Sequence, residues 1–460
     1  MESQFCWTKQ WYPISPISYL DPSRPHSVTL LGKNLVIWRD NQQKWTVMDN
    51  VCPHKLAQLS MGTIKEDGTL MCRHHGWCFD GEGKCTKIPM LAGSETEEMV
   101  CDSQKARVTS YPTQVLQGLL WVWPDNSKTA FEDCNLKHPA TTGELDSSSS
   151  DWHLSEVPVG YTVSFESSFD PSHAQFLHEG VGAFSPEKAV PMQYFQAVGE
   201  ISAEGGFTLK HQGYNIFNKD MDATRKFSPP CSNTTTYSLP NGGKMLFQLY
   251  FIPTQPGYCR YIGKFSAGGG SVKRNFFWEM IPQYLRTGIQ HLSTYKLSDQ
   301  DLSVMHSQEV NQLGIDKKWQ KAYFMASPSD VGIITFRKWL DEFAAGAPSW
   351  QENREEGRKE LSEEQLYDRW HRHSKYCPSC RSTVDFLEKV RRFSNIGAGV
   401  FALLSLVLVL IGIPVQLAVI STVLVVFSLI LSYLSDDWRQ LFFSSIPRRG
   451  LPIVKLYKTK

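Results

Sequence analysis

The chain has no excess of charge of either sign. Its 460 residues include 47 Lys and Arg against 46 Asp and Glu, which gives a formal net charge of +1. A general nucleic-acid-binding surface needs a basic excess, so the composition predicts no nucleic-acid partner. The length exceeds that of one ordinary hydrophobic core, and we expect two or three structural units.

The chain also lacks the cysteine pattern of a secreted disulfide scaffold. Its eleven cysteines are odd in number and scattered. Metal binding or redox chemistry is therefore expected for the close-spaced ones. The segment Met1–Trp7 has neither an apolar signal core nor an Arg- and Ser-rich presequence, and the sequence leaves open whether a transit peptide was removed.

Charge is missing altogether from one long segment near the C-terminal end. Residues 393–435 are 43 consecutive positions without a formal charge. Because crossing a bilayer core takes about 20 helical residues, the segment suffices for two crossings. Pro414 can turn the chain between them. We predict a transmembrane hairpin in a lipid bilayer, with helices near 394–411 and 415–434; the alternative is a core helix of a soluble domain. A hairpin would leave the other domains on one side of the membrane.

The remaining pattern predicts an α+β protein. Short β-like runs at 28–31, 35–39 and 119–123 indicate an all-β N-terminal domain. Strands at 207–210 and 245–251, with a helix near 165–180, indicate a mixed second domain. The predicted limits are 1–138 for the first domain, 139–151 for a linker, 152–345 for the second domain, 346–392 for a charged helical segment with a CxxC pair, 393–434 for the hairpin and 435–460 for a tail.

Two short loops carry cysteine and histidine at close spacing. Cys52 and His54 form a C-x-H pair, and Cys72 and His75 form a C-x-x-H pair followed by Gly-Trp. In a Rieske [2Fe–2S] centre one iron takes two thiolates and the other takes two imidazoles. We therefore predict these four residues as cluster ligands. The alternatives are a tetrahedral zinc site and His74 in place of His75; the C-x-x-H-G-W register favours His75.

A second metal site is predicted further along the chain. His173 and His178 lie five residues apart, and with one carboxylate they could form the 2-His-1-carboxylate triad that holds non-haem Fe(II). On a regular helix their side chains would diverge by roughly 140°, so a π-bulge or a helix end is needed. Asp170-Pro171 predicts an N-cap followed by proline at the first helical position. The alternative is two surface histidines.

These motifs together resemble a known family. The arrangement Glu166-x-x-x-Asp170-Pro-x-His173-x-x-x-x-His178, downstream of a Rieske motif, resembles the Rieske non-haem iron oxygenases. The apolar hairpin preceded by Cys377-Pro-Ser-Cys380 resembles the pheophorbide a oxygenase-like branch, whose relatives include translocon-associated chloroplast Rieske proteins. So do the segments 11–14, 52–60 and 251–257. The resemblance implies a helix-grip-like catalytic domain.

The resemblance also implies roles for two carboxylates. The family's aspartate three residues before the first histidine, which links the metal sites of neighbouring subunits, corresponds to Asp170 and implies a homotrimer. The family's third iron ligand is a downstream carboxylate, for which we favour Asp301 over Asp299. Either aspartate could instead simply occupy the first turn of a helix, where carboxylates oppose the dipole.

The implied function is an oxygenase of chlorophyll catabolism. It would insert O2-derived oxygen into an apolar tetrapyrrole and open the ring, with electrons from ferredoxin. It would be an integral protein of the chloroplast envelope or thylakoid, or of a cyanobacterial thylakoid. The alternatives are a hydroxylase or oxidase of a tetrapyrrole side group, a pure electron carrier and a redox-sensing component of a membrane complex.

The pair Cys377 and Cys380 has three interpretations. This spacing allows a reversible dithiol, and the resemblance implies thioredoxin as a partner. A zinc site is the second possibility, because His371 and His373 lie just upstream and complete a four-ligand set. The third is an inert pair.

Overall fold

The structure is a computed structural model that describes residues 4–145, 151–181, 184–192, 194–240, 242–268, 276–315, 318–346, 348, 360–412 and 414–445. It is an α+β protein, as predicted. The chain forms two compact units, one made of residues 1–271 and 301–360, the other of residues 272–300 and 361–460.

The N-terminal part of the first unit is built from three small antiparallel sheets. Their strand orders are β1-β11-β10, β2-β3-β4-β9 and β5-β6-β7-β8. The strands are β1 (Tyr12–Pro16), β2 (His26–Leu30), β3 (Lys33–Arg39), β4 (Trp45–Asp49), β5 (Thr63–Ile64), β6 (Leu70–Met71), β7 (Cys78–Phe79), β8 (Cys85–Lys87), β9 (Ser110–Tyr111), β10 (Thr113–Leu116) and β11 (Leu119–Val122). The predicted strands at 28–31, 35–39 and 119–123 are confirmed with limits shifted by one or two residues.

A seven-stranded antiparallel sheet forms the second part of this unit. Its order is β12-β18-β17-β16-β15-β14-β13, so the last six strands follow each other as a meander and β12 pairs with β18 at one edge. The strands are β12 (His153–Val157), β13 (Phe195–Ser202), β14 (Gly206–His211), β15 (Asp222–Ser228), β16 (Ser232–Ser238), β17 (Lys244–Gln255) and β18 (Tyr258–Gly268). The predicted strands at 207–210 and 245–251 lie inside β14 and β17.

Helices complete both units. They are α1 (Glu95–Asp102), α2 (Ala130–Asp133), α3 (Tyr161–Phe169), α4 (Ala174–Leu177), α5 (Phe276–Met280), α6 (Gln283–Leu313), α7 (Trp319–Ala322), α8 (Val331–Phe343), α9 (Glu363–Leu366), α10 (Pro378–Leu410) and α11 (Val415–Gln440). In the first unit α3 and α8 pack on the large sheet through aromatic rings. The ring of Phe165 lies 4.9 Å from Phe336 and 4.9 Å from Phe251, between centroids.

One hydrophobic core joins the N-terminal sheets to the large sheet. Trp121 is fully buried and packs edge-on against Tyr250 of β17, with 5.4 Å between ring centroids. The Arg260 side chain of β18 donates to the carbonyl of Ile14 in β1 at 3.1 Å. Of the predicted linker 139–151, residues 146–150 lie outside the described residues, and its limits stay a prediction.

The second unit contains the two apolar helices. Both α10, with 33 residues, and α11, with 26, are long and apolar enough to cross a membrane. Only 11% and 22% of their most apolar windows are buried, which argues against a core helix of a soluble domain. Both helices extend beyond the predicted limits, because α10 begins at Pro378 and α11 continues to Gln440.

The described part of the predicted charged segment, 346–392, contains short helical turns and the start of α10. Residues 349–359 lie outside the described residues, and the described part contains α9 and a π-helical turn, Trp370–Ser374. The π turn ends four residues before α10 begins, just ahead of the CxxC pair.

Candidate metal centres

The two loops that carry the first cysteine and histidine pairs share one backbone design. The N–H of Cys52 donates to the carbonyl of Ala57 at 2.8 Å, and the N–H of Cys72 donates to the carbonyl of Trp77 at 2.8 Å. Each cysteine therefore begins a turn that is closed five residues later. The turns hold the ligand side chains on loops rather than on strands.

In both loops the residue four positions after the cysteine has a left-handed backbone conformation, with a positive φ angle. Leu56 has φ +60° and Gly76 has φ +74°, and the N–H of each donates to the carbonyl of its cysteine, at 2.9 and 3.0 Å. Glycine is needed at position 76, because a Cβ there would lie 2.9 Å from Cγ of Pro89. At position 56 the leucine side chain is 75% exposed and has room.

The four predicted cluster ligands converge between these loops. Cys52 and Cys72 are both buried, at 2% exposure. The rings of His54 and His75 lie 4.5 Å apart between centroids, and His54 stacks on Trp77 at 4.9 Å with an interplanar angle of 7°. The tryptophan that follows the second pair thus supports the histidine of the first.

The chemistry of this group fits a Rieske cluster. Burial, and then the nearby Cys72 thiol, raise the pKa of Cys52 to about 11 against the opposing effect of backbone amides of the loop. Among the described residues, the buried Nδ1 of His75 has no hydrogen-bond partner. An iron centre would take up this nitrogen and both thiolates. His74 is exposed, although its ring lies 3.9 Å from that of His75.

The second histidine pair flanks a single short helix. His173 is the N-cap of α4 and His178 is its C-cap, so the helix-end arrangement accounts for their spacing of five. The predicted N-cap at Asp170 is wrong. Its Oδ1 instead accepts from the backbone N–H and the hydroxyl of Ser172, at 3.0 and 2.7 Å, in a turn that precedes the helix.

A carboxylate from a distant helix completes this group. Oδ1 of Asp301, on α6, lies 3.3 Å from Nε2 of His173 and 3.3 Å from Nε2 of His178. The two imidazole rings are 5.3 Å apart between centroids at an angle of 74°. Three potential ligand atoms therefore face one point, with the composition of the 2-His-1-carboxylate triad.

The carboxylate and the imidazoles of this group shift each other's pKa values. Burial raises the pKa of Asp301, but the two imidazoles lower it by more, and the pKa falls to about 2. Burial lowers the pKa of His173, but Asp301 and Asp170 raise it by more. Burial and the Asp301 charge together raise the pKa of Tyr261, so this phenol stays protonated beside the carboxylate.

Asp170 and Glu166 differ in how they relate to the histidines. Oδ2 of Asp170 lies 3.9 Å from Nδ1 of His173, on the ring edge opposite Asp301. Glu166 is buried instead in an ion pair with Arg337 and accepts a hydrogen bond from Gln308 at 2.9 Å. Its pKa is raised by burial against the opposing effect of Arg337. Asp170 is thus the carboxylate that can orient an imidazole.

Asp299 has no access to this centre. It is 1% exposed, and its carboxylate accepts hydrogen bonds from Arg369 at 2.6 and 2.9 Å and from Arg372 at 3.1 Å. Its two oxygens are therefore engaged by guanidinium groups. Of the two candidates for the iron carboxylate, Asp301 is the one that faces the histidines.

The upstream histidines do not both lie beside the CxxC pair. His371 is exposed and its Nδ1 lies 2.6 Å from Asp368, so the predicted set with both His371 and His373 is wrong. Instead His291 from α6 joins His373, Cys377 and Cys380. No local sequence pattern indicates His291, because 82 residues separate it from His373.

Comparison with known proteins places these features in a family. Residues 10–112 match the model of the Rieske [2Fe-2S] domain, and residues 227–319 match that of pheophorbide a oxygenase. The chain is 31% identical to the chloroplastic flavonoid 8-hydroxylase 2 of Ocimum basilicum, over 96% of this chain and 84% of that protein. It is 31% identical to the chloroplastic pheophorbide a oxygenase of Arabidopsis thaliana, over 87% and 76% respectively.

A third relative and a solved structure extend the comparison. The protochlorophyllide-dependent translocon component 52 of Arabidopsis thaliana, also chloroplastic, is 30% identical over 84% of this chain and 74% of that protein. The crystal structure of dicamba monooxygenase bound to dicamba superposes with a TM-score of 0.56 at 16% identity, covering 74% of this chain and 98% of that one. This likeness shows the fold.

The family carries a Rieske [2Fe–2S] cluster and a mononuclear iron, and the residues of both loops and of the triad fit these groups. The relatives are chloroplast proteins, and α10 and α11 are compatible with membrane association. The chain belongs to the Rieske non-haem iron oxygenases, in the branch of pheophorbide a oxygenase.

Proposed function

We propose that this oxygenase inserts oxygen into an apolar tetrapyrrole derived from chlorophyll and opens its ring. The observation that carries the proposal is the triad, in which Oδ1 of Asp301 lies 3.3 Å from Nε2 of both histidines. The match of residues 227–319 to pheophorbide a oxygenase supports the substrate class.

The proposed ligands follow from the geometry. Cys52, His54, Cys72 and His75 would hold the cluster, because the two thiols are buried and the two imidazoles face each other. His173, His178 and Asp301 would hold the mononuclear iron. When bound, the cluster supplies single electrons and the iron supplies activation of O2.

The chain's own residues prepare the second site. Because its pKa lies near 2, Asp301 is ionised at neutral pH and offers both oxygens as acceptors. The carbonyl of Asp170 accepts a hydrogen bond from the His173 imidazole, and the Asp170 carboxylate lies on the same ring edge. This favours the tautomer that leaves Nε2 free to bind a metal.

The external electron route is also part of the proposal. His54 is exposed, so the edge of the cluster site is accessible from solvent, as a reducing partner such as ferredoxin requires. Asp170 is 27% exposed, and in a homotrimer it would connect the mononuclear site to the cluster of a neighbouring subunit. A thioredoxin partner would need Cys377 and Cys380 as a free dithiol.

The two apolar helices give the substrate class a physical reason. A chlorophyll derivative partitions into lipid, and α10 and α11 would anchor the enzyme where the pigment is concentrated. We propose an integral protein of a chloroplast or cyanobacterial membrane, with the catalytic part on one side. Basic residues on both flanks, Lys389, Arg391 and Arg392 before and Arg439 after, support a hairpin with both ends on one side.

A second candidate is hydroxylation without ring opening. The basil relative is named a flavonoid 8-hydroxylase, and its 31% identity equals that of the pheophorbide a oxygenase of Arabidopsis thaliana. The same triad could hydroxylate a flavonoid or a tetrapyrrole side group.

The deciding experiment uses the full chain in detergent with ferredoxin and its reductase. Pheophorbide a, protochlorophyllide and a flavone are supplied under 18O2, and products are read by mass. Ring opening adds labelled oxygen to pheophorbide a and changes its spectrum; a flavone product with one added oxygen would favour the second candidate. Unchanged substrates throughout, with three irons bound per chain, would reject both.

A matched variant separates the two metal sites. His173→Ala should leave the Rieske EPR signal intact and lower turnover by at least about a hundredfold. Turnover retained in this variant would reject the triad assignment. Two irons per chain in the wild type would instead indicate an electron carrier.

A further inference from the structure

A second group of metal-binding side chains lies in the compact unit made of residues 272–300 and 361–460. It consists of His291, His373, Cys377 and Cys380, which are 6%, 0%, 1% and 0% exposed. None of the four takes part in the reaction proposed above. Buried polar groups of this kind need partners, and these four have each other.

Three separate backbone segments bring them together. His291 lies on α6, and His373 lies on the π-helical turn Trp370–Ser374. Cys377 is the N-cap of α10, and Cys380 is in its first turn after Pro378. The π turn, which is rare and often found at functional sites, directs His373 toward the two cysteines.

Four distances within the group are short. Nε2 of His373 lies 3.1 Å from Nδ1 of His291 and 3.3 Å from Sγ of Cys380. Nδ1 of His291 lies 3.3 Å from Sγ of Cys380 and 3.7 Å from Sγ of Cys377. All four ligand atoms are within 4.8 Å of one another.

The four distances are close to the edge lengths of a tetrahedral zinc site. With Zn–N near 2.05 Å and Zn–S near 2.3 Å, tetrahedral coordination puts two nitrogens about 3.3 Å apart and nitrogen and sulfur about 3.6 Å apart. If the four side chains were instead joined by hydrogen bonds, each donor would face one acceptor. Here each of three atoms, His291 Nδ1, His373 Nε2 and Cys380 Sγ, lies within 3.3 Å of the other two.

We propose that His291, His373, Cys377 and Cys380 bind one Zn2+ in a closed, four-coordinate structural site. Binding converts two thiols to thiolates and releases two protons to solvent. The resulting group is electrically neutral, with one divalent cation, two thiolates and two neutral imidazoles. This neutrality suits a site whose ligands are all buried.

The surrounding contacts indicate a structural metal site rather than a catalytic one. Four protein ligands leave no open position for water or substrate. One turn before His291, a Cβ at Gly288 would lie 2.6 Å from Oγ1 of Thr383, so α6 and α10 cross closely beside the site. The hydroxyl of Thr383 also donates to the carbonyl of Tyr284, at 3.1 Å. The zinc would lock this crossing and the π turn together.

The first test uses the wild-type full chain in detergent, purified without a metal-affinity step. Elemental analysis should find one zinc per chain in addition to iron. X-ray absorption at the zinc edge should find two sulfur ligands near 2.3 Å and two nitrogen ligands near 2.0–2.1 Å. These measurements need no catalytic activity, so they stand whether or not the proposed oxygenation is found.

Matched variants assign the ligands. His291→Ala, His373→Ala and Cys380→Ser should each lower the zinc content at least about tenfold. His371→Ala is the control. His371 lies two residues before the proposed ligand His373, but its side chain is exposed and pairs with Asp368. It should keep one zinc per chain. The Rieske EPR signal of each variant reports whether the rest of the chain is folded.

Four results would overturn the proposal. The first is wild-type protein with less than about 0.1 zinc per chain. The second is a disulfide between Cys377 and Cys380, read by mass as a loss of two hydrogens under anaerobic handling. The third is zinc retained in both His291→Ala and Cys380→Ser. Iron in place of zinc, with sulfur ligands at the iron edge beyond those of the cluster, would also reject the assignment.

Discussion

Oδ1 of Asp301 lies 3.3 Å from Nε2 of His178, although 123 residues separate them in the chain. This contact leads to the first prediction. Asp301→Ala should lower the iron content from three to two per chain and reduce turnover at least about a hundredfold. The reason is that Asp301 supplies the carboxylate of the triad with His173 and His178. Iron analysis and the Rieske EPR signal, which should stay unchanged, check this; three irons in the variant would place the ligand elsewhere.

The neighbouring carboxylate should behave in the opposite way. Asp299→Ala should keep three irons but destabilise the fold by about 3–5 kcal/mol, because Arg369 and Arg372 would be left buried without their partner. Thermal and denaturant unfolding measure the loss. Asp385→Ala, at an exposed position of the same unit, is the control and should change stability by less than about 0.5 kcal/mol. Iron lost from Asp299→Ala with stability unchanged would contradict this division of roles.

The choice between two adjacent histidines can be tested directly. His75→Ala should abolish the Rieske EPR signal, since the buried Nδ1 of His75 is the nitrogen in need of a partner. His74→Ala should retain the signal, because that side chain is exposed. Both spectra are recorded after dithionite reduction. The reverse pattern would move the ligand to His74.

A buried histidine on the large sheet should set part of the acid sensitivity. Nε of Arg225 donates to Nε2 of His211 at 2.9 Å, and Nδ1 of His211 lies 2.8 Å from the carbonyl of Gln212, so the ring must be neutral. Burial, and then the Arg225 charge, lower the pKa of His211 from 6.5 to about 3. The stability that depends on the neutral ring is complete above pH 6.5 and is lost as the pH falls toward 3. The loss is at most about 1.4 kcal/mol per pH unit.

Removing this titration should flatten the pH profile. His211→Gln keeps a neutral acceptor for Arg225, so between pH 6.5 and 5 its unfolding free energy should fall by up to about 2 kcal/mol less than that of the wild type. Denaturant midpoints at the two pH values give the difference. His138→Gln, at an exposed position, should retain the wild-type slope. Equal slopes in the wild type and His211→Gln would show that the histidine is not the sensor.

The membrane anchor can be removed without opening the base of the hairpin. Glu388 on α10 contacts Arg392 at 2.8 Å and Arg439 on α11 at 3.5 Å, so both helices are joined below the apolar segment. In the variant, an eight-residue Gly/Ser linker replaces residues 394–434. Its end-to-end distance of about 16 Å is enough to connect two neighbouring helices. The variant should stay in the supernatant after carbonate extraction, whereas the wild type sediments with membranes. Wild-type protein released by carbonate would make the association peripheral.

The features that could be predicted from the sequence are those whose signal is local. Both cluster loops, the histidine pair and the apolar hairpin depend on residues close together in the chain. The N-cap expected at Asp170 was wrong because its side chain closes a turn with Ser172 before α4 begins. Helix limits in the hairpin were underestimated because α10 continues without a break from the CxxC pair into the apolar segment.

The parts that could not be predicted depend on long-range contacts. The sequence favoured Asp301 over Asp299 but did not show what surrounds either side chain. Residues two positions apart on a helix point in directions about 200° apart, so these two face opposite sides. One meets two arginines and the other meets two histidines. His291 was missed because no pattern near it identifies a ligand, and its partners lie more than eighty residues away.

Because α10 is unbroken, it fixes the distance between the CxxC pair and the apolar segment. The helix has 33 residues and is about 50 Å long, whereas the hydrocarbon layer is about 30 Å thick. Cys380 and Ser394, where the apolar segment begins, are fourteen residues apart, or about 21 Å along the axis. In a bilayer, the height of the cysteine and histidine group above the lipid tails is therefore set by helix geometry, with no joint at which it could vary. A depth-dependent spin label at the start of α10 would read that height directly.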